Sequence, residues 1–193
     1  MQVGTATSLR YMSPIFAAIL SVIILKEKMK PIQWGLFFLA FLGVLIIKGF
    51  NLDVSLLGLI AILTSAFLVG LVFVLIRKIG TSEHYLVIIF YFMFASFVVS
   101  GTVSLFNWET PIGIEWLYLL ASGVVGFIGQ MCMTQALQME ETNAIVPFKY
   151  SEIIFTLLAG WILFGEQQNI YSLLGIACIL VAVLTNTLIK LRA

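Results

Sequence analysis

Residues 6–46 read ATSLRYMSPIFAAILSVIILKEKMKPIQWGLFFLAFLGVLI, and residues 145–185 read IVPFKYSEIIFTLLAGWILFGEQQNIYSLLGIACILVAVLT. At an offset of 139 positions Arg10 meets Lys149, Tyr11 meets Tyr150, Phe16 meets Phe155 and Glu27 meets Glu166. One extra residue in the later copy then brings Gly35 onto Gly175. Each copy has the pattern of an apolar helix, a tight turn carrying Glu, and a second apolar helix. A matched cation–tyrosine pair and a shared turn acid are more than apolar composition alone supplies.

The chain around these copies is too apolar for a soluble domain. Of its 193 residues 62% are apolar and 10% charged, where ordinary globular sequences carry about 25% charge. The same content excludes disorder. Cys132 and Cys178, the two cysteines, both lie in apolar runs, so no disulfide framework is indicated. A net charge of +1 gives no basic field to recruit nucleic acid. What remains is an integral membrane protein with the lipid bilayer as its surroundings.

A bilayer core needs about 20 apolar residues in a helix. Residues 54–76, 85–108, 116–139 and 169–189 qualify without a charge. Residues 31–47 are fewer, but they open on Pro31, which suits a first helical turn, and Trp34 and Lys48 suit interfaces. Residues 2–25 contain Arg10, and residues 142–164 contain Lys149 and Glu152; both are read as spans. The expected fold is therefore all-α with seven transmembrane helices. A membrane β-barrel would need period-2 alternation, which the runs lack. Lys26, Lys28, Lys30, Arg77, Lys78, Lys190 and Arg192 fall on one side of the membrane and only Lys48 on the other. That bias predicts a cytoplasmic C-terminus and an N-terminus outside.

Five helices separate the copies. Five is odd, so equivalent helices cross in opposite directions, which is the inverted repeat from which many secondary transporters are built. If 139 residues carry five helices, two complete five-helix units need three more at the front. That is about 85 more residues in a whole of roughly 280. Residues 1–49 then hold the last two helices of a first unit, and residues 54–191 a complete second unit. Met1 stands directly at the start of a span, and the expectation is a chain lacking its first three helices.

Two stretches carry a family resemblance: SPIFAAILSVIILKE followed by QWGLFFLAFLGVLI, and YSEIIFTLLAGWILFGE followed by LLGIACILVAVL. Both resemble the closing helices of an EamA domain, as found twice in the ten-helix branch of the drug/metabolite transporter superfamily. The resemblance covers nearly the whole chain. The family's proline after the tyrosine turn corresponds to Pro14; its equivalent in the second copy is Ile153, a departure. Glu152 matches an acidic residue often found there, and Glu27 and Glu166 match the acid at the helix end. The resemblance implies export or exchange of small metabolites across the cytoplasmic membrane, and it does not name the substrate.

Lys149 and Glu152 are three apart, on one helical face, about two turns into the membrane from the cytoplasmic side. An isolated charge there costs about 2.5–3.5 kcal/mol, so the two either form a structural ion pair or serve a polar binding site. Glu152 facing a cavity would carry the proton of a coupled carrier. Arg10, toward the outer side, either binds an anionic group of the substrate or reaches phosphates. Tyr11 and Tyr150 are cavity hydroxyls or interfacial anchors. Gln130 lies deep enough to hydrogen-bond a solute. Pro14 and Pro147 are expected to kink their helices. Gly123, Gly126 and Gly129, three apart, read as a packing face. Glu27 and Glu166 oppose the dipole of the helices they end, so each is expected to cap or precede the next helix across its turn. Asn143 reads as an N-cap or a ligand. His84 and the cysteines have no metal-ligand spacing, and phosphate loops and nucleophile elbows are missing. No catalytic residue, metal or cofactor is expected. The leading function is a secondary transporter of small metabolites with proton coupling. Its alternatives are a carrier of lipid-linked or sugar-bearing substrates, a seven-helix receptor, and a truncated chain inactive on its own.

Overall fold

The structure is a computed structural model and describes residues 10–48, 56–106, 108–164 and 170–191. Its helices are α1 (Ser13–Leu25), α2 (Pro31–Lys48), α3 (Leu56–Ile79), α4 (Tyr85–Ser104), α5 (Glu115–Met139), α6 (Thr142–Ile145), α7 (Ser151–Phe164) and α8 (Ile170–Leu191). A 3-10 stretch, Val146–Tyr150, joins α6 to α7, so the chain runs helically from Thr142. Among the described residues no strand is present. Among the described residues four stretches are long and apolar enough to cross a membrane, and three apolar helices are shorter. Together they are the seven predicted spans. The protein is an all-α integral membrane protein.

Helix boundaries follow local chemistry. Pro31 opens α2, where its missing N–H has no partner to lose. Arg77 and Lys78, expected in a loop, extend α3 by a turn; cations suit a helix C-terminus. Gly80 follows with φ +56°, a conformation that lets the helix stop. Helix α1 closes as a π turn, Ser21–Leu25, and Lys26 takes φ 57° to leave it. His84 caps α4, its Nδ1 accepting from the Leu86 N–H at 3.3 Å.

Two compact units are present. The first joins Met1–Leu75 to Glu141–Ala193, and the second is Ile76–Glu140. In the first, α2 lies along α8 for most of its length. Gln33 Nε2 donates to Asn186 Oδ1 at 3.1 Å, and ten residues further along α2 Gly43 faces Gly175. The α2 number rises as the α8 number falls, so these repeat-equivalent helices are antiparallel. The other pair behaves alike: Tyr11 meets Tyr150, while Glu27 meets Thr142. The two copies are thus inverted relative to each other. Their shared core is Ala18, Phe37, Ala40, Val44, Tyr150, Ile153, Ile179, Ala182 and Val183.

The second unit is α4, α5 and the turn before α4. Gln138, buried near the end of α5, donates to the carbonyls of Gly80 and Glu83, and Arg77 Nη1 donates to the Gln138 carbonyl at 2.8 Å. Large apolar side chains such as Phe97 and Val99 stand open on α4, as lipid-facing residues do. Gly123, Gly126 and Gly129 correct the expected packing face. Among the described residues a Cβ added at any of them meets nothing within 4 Å.

Candidate functional site

The helices break where the two copies meet. A turn at Tyr11 and Met12 precedes α1, and Pro14 occupies its first turn. Pro147 opens the 3-10 stretch that leads to Tyr150. Each proline lies three residues from its copy's tyrosine, on opposite sides of it. Irregular backbone at membrane depth is tolerated where protein or a cavity satisfies it. Tyr11 and Tyr150 stack there, with ring centroids 6.4 Å apart and planes at 24°. A residue that touches its own repeat mate must lie on the pseudo-two-fold axis. In an inverted repeat that axis lies in the membrane plane, near whose middle substrate sites are found.

Beside this pair opens a recess of about 90 Å³, lined by Arg10, Tyr11, Ser13, Ser65, Ala66, Val69, Lys149 and Glu152. Helix α3 supplies its wall because Gly70 lets the chains close up: a Cβ there would lie 2.8 Å from the Ala17 nitrogen. Phe16 and Phe67 meet edge to face with ring centroids 5.9 Å apart. Lys149 Nζ and Glu152 Oε2 pair at 2.8 Å, both partly open. Arg10, expected toward the opposite face from Lys149, shares the recess with it. Four of the six candidate residues therefore come together. Tyr150 is fully buried behind Tyr11, and among the described residues its hydroxyl has no hydrogen-bond partner. Gln130 belongs to the second unit, half-buried on α5. Among the described residues no cluster of His, Cys, Asp and Glu could hold a metal, and both cysteines are free.

Sequence reasoning missed a second polar group of the first unit. Glu27 Oε1 accepts from the Thr142 N–H at 2.9 Å and Oε2 from the Asn143 N–H at 3.3 Å. The carboxylate thus caps α6 as well as preceding α2 in the chain. Glu166 lies outside the described residues. Asn186 Nδ2 donates to the Asn143 carbonyl at 3.1 Å, while Gln33 Oε1 accepts from the Lys30 N–H at 3.0 Å. Thr142, Asn143 and Asn186 are all but sealed from solvent. Among the described residues the Asn143 side-chain carboxamide and the Thr142 hydroxyl find no hydrogen-bond partner. The available signal was polarity itself: Gln33 and Asn186 interrupt helices that are otherwise apolar.

Residues 1–49 and 56–188 match the EamA-like transporter family. The chain belongs to that family. Among its curated relatives, the pseudopaline exporter CntI of Pseudomonas aeruginosa is 28% identical over 180 residues, covering 92% of this chain and 63% of the relative. The S-adenosylmethionine uptake transporter of Rickettsia prowazekii is 26% identical over 187 residues, covering 94% and 62%. Human solute carrier family 35 member G1 is 29% identical over 197 residues, covering 93% and 53%. The chain thus spans less than two thirds of the length of these relatives. One solved crystal structure aligns over 96% of this chain and 67% of its own with a TM-score of 0.86 at 17% identity, a likeness of fold. Within this EamA chain, the recess and the Glu27 cap both join residues of the two inverted copies.

Proposed function

We propose that this chain forms part of a secondary carrier for small metabolites in the cytoplasmic membrane, holding its solute against the recess of Arg10, Tyr11, Lys149 and Glu152. The observation that carries this reading is three charged side chains converging beside the self-paired tyrosines, in helices that are otherwise apolar. Charges inside membrane helices are expensive and belong to function by default. The relatives support it, since the names of an exporter and an uptake transporter share small-molecule movement and differ in direction. Residues 1–49 are read as the end of one EamA unit and 54–191 as the whole of a second.

Glu152 is the group proposed to carry a proton between the two faces, its carboxylate paired with Lys149 at rest. The test is flux of labelled S-adenosylmethionine, the solute in one relative's name, into sealed vesicles containing the chain, under pH gradients of both signs. Wild-type flux should follow the gradient. Glu152→Gln should lose that dependence while flux down the solute's own gradient continues. Gradient-dependent flux that survives in Glu152→Gln would leave the ion pair structural. Absence of flux in both would favour a chain inactive on its own, or a different solute.

Orientation follows from the charge bias, with the C-terminus proposed as cytoplasmic. Reporter fusions after Lys30, Arg77 and Arg192 should all report the cytoplasm. Opposite sides for the Lys30 and Arg192 fusions would overturn the seven-span topology.

A further inference from the structure

We infer that Arg10 is the anchor for an anionic group, a carboxylate or phosphate, seated in the recess; this rests on the carrier reading above. The charge balance of the lining is the first ground. Glu152 is its one carboxylate, and Lys149 already pairs with it at 2.8 Å. Arg10 has no carboxylate partner among the described residues, so the recess keeps a surplus positive charge. The guanidinium offers five N–H donors in a planar fork suited to two oxygens at once. The hydroxyls of Tyr11, Ser13 and Ser65 add more. A cation left alone among apolar helices is unfavourable, and an oxyanion removes that penalty.

Size limits what enters. A recess of about 90 Å³ holds a few water-sized groups, so it takes the charged end of a solute and not a whole metabolite. The same chemistry is offered by a soluble anion and by a lipid headgroup, because the Arg10 side chain is itself exposed. Lys149 adds a sign to the prediction. Freed from Glu152, its ammonium becomes a second attraction for the same anion, so removing the carboxylate should tighten anion binding.

The chain is purified in neutral detergent and titrated with sodium phosphate and sodium glutamate against sodium chloride of equal ionic strength, with binding read by calorimetry. Saturable binding is expected, at least tenfold weaker in Arg10→Gln, partly restored in Arg10→Lys and several-fold tighter in Glu152→Gln. A parallel arm compares thermal midpoints in vesicles of phosphatidylcholine with and without phosphatidylglycerol. Arg10-dependent stabilisation there, without binding of either soluble anion, assigns the same chemistry to a headgroup. Arg10→Gln indistinguishable from wild type in both arms overturns the inference. Both measurements are at equilibrium, so Arg10-dependent binding stands or falls without flux, and failure of the anchor is distinguished from failure of transport.

Discussion

Glu27→Ala is expected to destabilise the chain by about 2–6 kcal/mol, at about 1–3 kcal/mol for each buried donor left without an acceptor. The two donors are the Thr142 and Asn143 N–H groups that the carboxylate now satisfies. They belong to the first turn of a helix, where no intrahelical carbonyl is available, and neither residue is open to water. The charge adds to the effect, since an anion at a helix N-terminus is favoured by its dipole. Glu27→Gln keeps an acceptor without the charge and should lose about half as much. The measurement is reversible unfolding of the purified chain in detergent by added dodecyl sulfate, followed by circular dichroism. A loss below about 0.5 kcal/mol in Glu27→Ala, the level of an ordinary surface change, would mean that α6 begins equally well without its cap.

The second large effect is steric. A Cβ added at Gly43 would lie 2.7 Å from the Gly175 carbonyl oxygen, 2.9 Å from Ile179 Cγ1 and 3.1 Å from Cys178 Cβ. The nearest of these is backbone, so no rotamer change relieves it, and α2 must move away from α8. Overpacking of this kind costs about 1–3 kcal/mol. Gly35→Ala, on the same helix, meets nothing within 4 Å and should gain about 0.5–1 kcal/mol from the stiffer backbone. The opposite signs are the test, in the same unfolding assay. Equal and similar shifts at both positions would show that the α2–α8 contact contributes little.

These two cases mark how far the sequence could be read. The spans and the inverted repeat were legible because they are written in long apolar runs and a matched order of residues. The partner of each polar group was not. An apolar helix has no periodic pattern to show which face meets protein, so Gln33, Asn186 and Gln138 gave no direction. Glu27 was read from the end of its own helix, but the Thr142 N–H that it accepts from lies 115 residues away. Spacing misled at Gly123, Gly126 and Gly129, which stand open among the described residues, whereas Gly43 and Gly70 fell in no such series and are glycines at which helices touch. At the recess, Arg10, Tyr11, Lys149 and Glu152 were all singled out, but their convergence needed the breaks at Tyr11 and Tyr150. Those follow from backbone geometry beside proline, which composition does not encode.

The α2–α8 contact also sets a clock. Gln33 and its partner Asn186 are 153 positions apart, and synthesis at about 5–20 residues per second puts roughly 8–30 s between them. Through that interval α2 rests in the bilayer with the Gln33 NH2 group unmatched and a bare glycine face. Its native neighbour has yet to leave the ribosome. The time of synthesis itself is then the window in which the nascent chain is most open to pairing with the wrong helix.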